Sequence, residues 1–189
     1  MSLGDFKFLV LRAETEIPAF RSKDSDLNDF LLNDAKKFLA ELLAVTYLFV
    51  DTESNRTVAY FSLLNDKVAF DPDERHLWNR INRNISNRKR RKSYPSVKIG
   101  RLAVSKEYEG TGVGSAILDL VKRRFISGNR TGCRFIAVDA YAEATEFYRK
   151  NGFDFLTEKD KNDETRLMFF DLKPFRDGTI AAMKSRTCA

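Results

Sequence analysis

The segment Glu109-Gly110-Thr111-Gly112-Val113-Gly114-Ser115 constrains this chain more than any other. Strand-like residues 97–104 precede it. After it Val113, Ala116, Ile117, Leu120, Val121 and Phe125 recur at the spacing of one helix face, with Asp119, Lys122 and Arg123 on the wet side. Alternating glycines between a strand and an amphipathic helix let backbone approach a ligand closely. The first amides of the helix point outward at the positive end of its dipole. A diphosphate fits such a turn. The spacing speaks against two familiar phosphate motifs. A P-loop needs Lys and then Ser or Thr after its last glycine, where this chain has Ser115-Ala116. A dinucleotide fingerprint reads G-x-G-x-x-G, and here the third glycine comes one residue early.

The rest of the chain supplies strands and helices around that turn. Residues 7–12 predict a first strand, and Asp24 or Ser25 caps a helix that turns Leu27, Phe30, Leu31, Ala35 and Phe38 inward. Residues 45–50 and 57–64, separated by a polar turn, predict a hairpin. Residues 65–95 are polar and basic and predict a partly helical insertion anchored by Trp78, Ile81 and Ile85. Residues 134–138 predict a strand, and 143–150 a short helix stopped by Asn151-Gly152. Residues 153–156 and 166–172 predict two closing strands. With 189 residues, no repeat and no linker, the expectation is one domain over 1–175, its insertion at 65–95, and a tail over 176–189.

Composition removes several classes of function. No apolar run approaches the roughly 20 residues that span a bilayer, and the N-terminus has no basic stretch followed by an apolar core. Cys133 and Cys188 are too few for a disulfide framework, so a reducing cytoplasm fits, with Cys133 a small core residue. His76 is the only histidine, so no metal site and no histidine triad is expected. The formal charge of +6 is local: Arg80, Arg83, Arg88, Lys89, Arg90, Arg91 and Lys92 come without an acid between them, and removing these seven leaves −1. That run reads either as a surface for the phosphates of a cofactor or RNA, or as a solvated segment.

The order Leu102-Ala103-Val104, glycine turn, amphipathic helix, strand, and Phe147-Tyr148-Arg149-Lys150-Asn151-Gly152-Phe153 resembles the GNAT superfamily of N-acetyltransferases. That family has a strand ending L-x-V, then Q/R-x-x-G-x-G/A, a helix, a strand, and a short helix ending F-Y-x-x-x-G-F. The resemblance implies an α/β (α+β) domain: a central mixed, mostly antiparallel twisted sheet of about six to seven strands, flanked by helices. A V-shaped splay between two central strands is part of that expectation. It further implies acetyl-coenzyme A as cosubstrate, with backbone at Leu102, Ala103 and Val104 along the pantetheine arm. The Val104 N–H would polarise the thioester carbonyl. Glu109, Gly110, Thr111, Gly112, Val113, Gly114 and Ser115 would hold the pyrophosphate. Tyr148 matches the tyrosine that protonates the departing thiolate, with the small Ala144 on the same helical face. One residue departs from the pattern. Glu109 stands where Gln or Arg is usual, so its side chain is expected to point away or serve structure.

The implied reaction is direct attack by a primary amine. Glu41, Asp66 and Asp139 are the carboxylates near strand ends, none singled out as base, and Asp139 could equally cap the Tyr148 helix. Arg101 is expected to meet an acid rather than the cofactor. Asp26-Leu27-Asn28-Asp29-Phe30-Leu31, with Gly100-Arg101-Leu102-Ala103-Val104, resembles the GNAT branch containing toxins of bacterial toxin–antitoxin pairs. Those enzymes acetylate aminoacyl-tRNA, and the resemblance makes the basic run of Arg80, Arg83, Arg88, Lys89, Arg90, Arg91 and Lys92 a tRNA contact. A small-molecule or protein amine stays open as acceptor, and so does a homodimer. A non-catalytic acyl-coenzyme A-binding or partner-binding module is the alternative of a different class. No membrane partner is expected.

Overall fold

Seven strands form one sheet in the order β1-β2-β3-β4-β5-β7-β6, flanked by helices. They are β1 (Lys7–Val10), β2 (Val45–Asp51), β3 (Arg56–Ala69), β4 (Ser93–Val104), β5 (Phe135–Tyr141), β6 (Asp154–Phe155) and β7 (Thr165–Asp171). The structure is a computed structural model that describes residues 3–83, 85, 91–127 and 131–187, with backbone alone for 184–187. The chain clusters into two compact units, Met1–Leu64 with Ile99–Val121, and Asn65–Lys98 with Lys122–Ala189.

In the first unit β1, β2 and β3 pair antiparallel, Lys7 opposite Val50 and Val45 opposite Leu63. A continuous helical stretch comes after β1: α1 (Ser25–Asp29), a π turn Phe30–Asp34 and α2 (Ala35–Ala40). Asp24 caps it, its carboxylate accepting the amides of Asp26 and Leu27 at 2.8 and 3.3 Å. Leu31 and Ala35 are fully buried and share a core with Leu11, Leu48, Val50, Tyr60 and Ala103. Phe38, expected inside, is 38% exposed. The π turn offsets the phase of the succeeding helix, and the Phe38 ring packs edge-on against Phe30 at 5.3 Å from this half-exposed position. Helix α2 ends with Leu42 at φ +56°. The Leu42 N–H donates to Leu39 O and the Leu43 N–H to Phe38 O, at 3.1 and 2.9 Å.

In the second unit, β5 pairs antiparallel with β7, and β7 with β6. Among the described residues the insertion is helical in its middle, a 3-10 turn Pro72–Glu74 running into α3 (Arg75–Arg83). Strands reach into both its ends, β3 to Ala69 and β4 from Ser93. Of residues 65–69 only Val68 is buried, so this one-sided piece of strand carries too few apolar residues to announce itself. Trp78 and Ile81 anchor α3 as expected, against Val68, Tyr94, Phe135 and Phe169, with Ile85 packed beside them. Residues 176–187 of the expected tail are part of α6 (Leu172–Thr187). Its Ile180 and Met183 are 44% and 62% exposed, so it lacks the apolar stripe that would reveal a helix. Among the described residues no helix is long and apolar enough to cross a membrane.

Candidate functional site

The glycine turn takes the geometry that its residues permit. After a 3-10 turn at Lys106–Tyr108, Gly110 and Gly112 adopt φ +72° and +87°, the left-handed region where a side chain is strained. A Cβ at either position would meet nothing within 4 Å. These glycines therefore serve conformation, and the space above them is open. The Thr111 hydroxyl donates to Tyr108 O at 2.6 Å, and Gly112 O accepts the Ala116 N–H at 3.0 Å, which starts α4 (Val113–Ile126). Val113 is buried and pins the turn, while Gly110, Thr111, Gly112 and Ser115 lie exposed. An exposed glycine turn at a helix N-terminus is a place where backbone amides and the helix dipole can receive an anion. Glu109 turns aside into an ion pair with Lys23. This departure from the family pattern is accommodated by structure.

The preceding strand belongs to the same unit. Ala103 is buried, and Leu102 and Val104 are half-buried. Arg101 lies 5.1 Å over the Phe30 ring with a guanidinium nitrogen 3.8 Å from Asp26, the acid contact expected of it. Asn28 is structural, its Oδ1 accepting the Ser22 N–H at 2.7 Å.

Tyr148 falls in the second unit, on α5 (Thr145–Lys150). It is 6% exposed, edge-on to Phe147 and Phe153 at ring separations of 5.1 and 5.4 Å. Burial pushes its phenol above the ordinary value, so the group keeps its proton through the neutral range. The helix closes as Asn151-Gly152 predicts. Gly152 sits at φ +81°, its N–H donates to Arg149 O at 2.9 Å, and the Phe153 N–H donates to Tyr148 O at 3.1 Å.

Lys122 does not face water as expected. It is 7% exposed, donates to Asn151 O at 2.6 Å and stands 4.4 Å over the Phe170 ring. A cation here satisfies a carbonyl at the negative end of α5. The overlooked signal is its spacing of four from buried Leu118, which puts both on one face. Asp139 does not cap the Tyr148 helix, because it lies inside β5 and ion-pairs with Lys98. Glu41 caps the end of α2, and Asp66 accepts the Lys67 N–H. Cys133 is half-buried, and desolvation raises its thiol, the reverse of what a nucleophile needs. Of the basic run, Arg80, Arg83, Arg91 and Lys92 are exposed, Arg80 donating to Phe155 O at 3.1 Å. Arg88, Lys89 and Arg90 lie outside the described residues.

Residues 79–154 match the acetyltransferase (GNAT) domain family. The fold is similar to that of a bacterial toxin at 14% identity and TM-score 0.73, covering 95% of each chain. It is also similar to AtaT complexed with acetyl-methionyl-tRNAfMet, at 21% identity and TM-score 0.71 over 90% of this chain and 97% of that one. A third similar structure is a tyrosine-to-phenylalanine mutant of AtaT bound to the C-terminus of the antitoxin AtaR and acetyl-CoA. It has 20% identity and TM-score 0.64, over 90% and 95% of the two chains. No curated protein matches the chain in sequence.

Proposed function

We propose, on the premise that residues 79–154 carry a GNAT acetyltransferase domain within a GNAT fold, that this chain transfers an acetyl group from acetyl-coenzyme A to a primary amine. The observation that carries the reading is the glycine turn, with Gly110 and Gly112 left-handed beneath open space at the start of α4. Acetyl-coenzyme A supplies an activated thioester. Gly110 to Ser115 hold its pyrophosphate through backbone amides and the dipole of α4. The backbone of Leu102, Ala103 and Val104 receives the pantetheine arm, and the Val104 N–H draws charge onto the thioester oxygen. Tyr148 is the general acid: the amine nitrogen bonds to the acyl carbon, the carbon–sulfur bond breaks, the phenol protonates the sulfur, and the proton shed by the nitrogen passes to solvent, from which the phenolate is re-protonated.

A specific observation favours aminoacyl-tRNA as a second reading of the acceptor. Arg80, Arg83, Arg91 and Lys92 are exposed about α3 and the start of β4, and a protein of similar fold is known with acetyl-methionyl-tRNAfMet. Incubation with labelled acetyl-coenzyme A and separate pools of small amines, peptides, polyamines and aminoacylated tRNA tests both. Transfer of label with release of free thiol is expected for at least one pool. If the protein binds acetyl-coenzyme A yet labels none, it is a non-catalytic module. A tRNA acceptor requires affinity that falls steeply with salt and that Arg83→Glu with Arg91→Glu weakens.

A further inference from the structure

One cleft of the second unit has no part in the roles above. It measures about 430 Å³ and is lined by Phe70, Leu77, Trp78, Ile81, Leu156 and Leu167, with Glu74 among them. That volume lies in the range of small-ligand pockets, which combine apolar walls with a few fixed polar groups. Glu74 is only 8% exposed, and its Oε1 accepts the Glu158 N–H at 2.7 Å, which holds the carboxylate in place. A carboxylate has acceptor capacity for several donors, so one amide does not exhaust it. The neighbouring Asp71 and Asp73 share Lys159, whose Nζ lies 2.6 and 2.9 Å from them. That lysine is committed to those two acids. Lys67 stands at the lining with its side chain exposed to solvent.

The chemistry selects its ligand. A buried anion in an apolar lining disfavours anions and leaves neutral groups without a strong partner. It rewards a cation that brings apolar surface with it, and an ammonium can also be attracted by the Trp78 face. We propose that this cleft binds a hydrophobic primary amine, with its apolar group against Trp78 and the leucines and its ammonium on Glu74. Taking that amine as the class of acyl acceptor rests on the acetyltransferase reading; the binding itself does not.

Trp78 is the only tryptophan, so its fluorescence reports the cleft directly. The full chain is titrated with phenethylamine, and in parallel with ethylamine, which lacks the ring, and 2-phenylethanol, which lacks the charge. Saturable binding of phenethylamine is expected, at least tenfold tighter than either. Glu74→Gln keeps an acceptor for the Glu158 N–H and should weaken phenethylamine at least tenfold while leaving 2-phenylethanol unchanged. Leu77→Phe, which fills space without touching the charge, should weaken both. Absence of a saturable response, equal binding of ethylamine, or unchanged affinity in folded Glu74→Gln overturns the assignment. Acetyl-coenzyme A binding without phenethylamine binding defeats the cleft alone. The opposite pattern defeats the acetyltransferase reading and leaves the cleft standing.

Discussion

Among the described residues two turns use left-handed glycines, and their surroundings are opposite. Gly110 and Gly112, ahead of α4, hold φ +72° and +87° with nothing within 4 Å of where a Cβ would stand. Gly152, behind α5, holds φ +81°, and a Cβ there would lie 3.2 Å from Phe170 Cε2. The first turn leaves the Cβ side of its glycines open. The second is packed shut, and its amides are spent on the carbonyls of Arg149 and Tyr148. The dihedral alone therefore does not distinguish an open turn from a packed cap; the occupancy of the space over it does. A third left-handed residue sharpens the point. Leu42 ends α2 with the same pair of closing hydrogen bonds as Gly152, but without a glycine and with 92% of its surface exposed.

The largest effect is expected from the residue that the closed turn holds in place. Tyr148→Phe keeps the buried ring and removes the proton, so kcat should fall by ~100-fold or more with acetyl-coenzyme A affinity nearly unchanged. A kcat near that of the parent would make the hydroxyl structural. The same burial sets a pH dependence. The folded phenol titrates above its ordinary value of 10.0, so its stabilising contribution is complete below that pH and is lost as pH rises past it. Denaturant midpoints of the parent should therefore drop in strong alkali more than those of Tyr148→Phe.

Next in size is Gly152→Ala, which meets both the left-handed penalty and Phe170. It should cost about 2 kcal/mol in urea denaturation with an unchanged m-value. A neutral result would mean that this turn is as open as the first. The smallest effect belongs to Leu42→Gly, where relief of backbone strain outweighs the added chain entropy. Stabilisation by about 0.5 kcal/mol is expected. Destabilisation would instead show that the exposed leucine makes a contact worth keeping.

These three turns also mark how far the sequence could be read. Glycines between a strand and a periodic helix, and Asn-Gly behind one, announce themselves because few other residues tolerate the conformation. Leu42 gives no such signal, since nothing local marks a leucine for φ +56°. Helix phase is readable only as far as the π turn at Phe30–Asp34, which shifts it and leaves Phe38 outside. The charge of Lys122 argues for water, while its partners, Asn151 O and the Phe170 ring, are far off in sequence. Glu74 shows the same limit. An acid before a basic helix looks like a solvated first turn, and only the fold brings the Glu158 amide and the apolar cleft to it. The glycine turn stands out in the sequence through local physics and family pattern together, Val104 and Tyr148 through the family pattern alone.

The open turn bears the central claim, and Gly114 offers the cleanest way to test it. Gly114 lies in the first turn of α4 and not among the left-handed glycines. Gly114→Asp therefore adds bulk and negative charge at the proposed anion seat without requiring a left-handed backbone. An acid there even complements the helix dipole, by about 0.3–1 kcal/mol. Stability and binding should thus move in opposite directions. Calorimetric titration with acetyl-coenzyme A should give saturable one-to-one binding for the parent and none for Gly114→Asp, whose melting temperature stays equal or rises. Undiminished affinity in that folded variant would contradict the account.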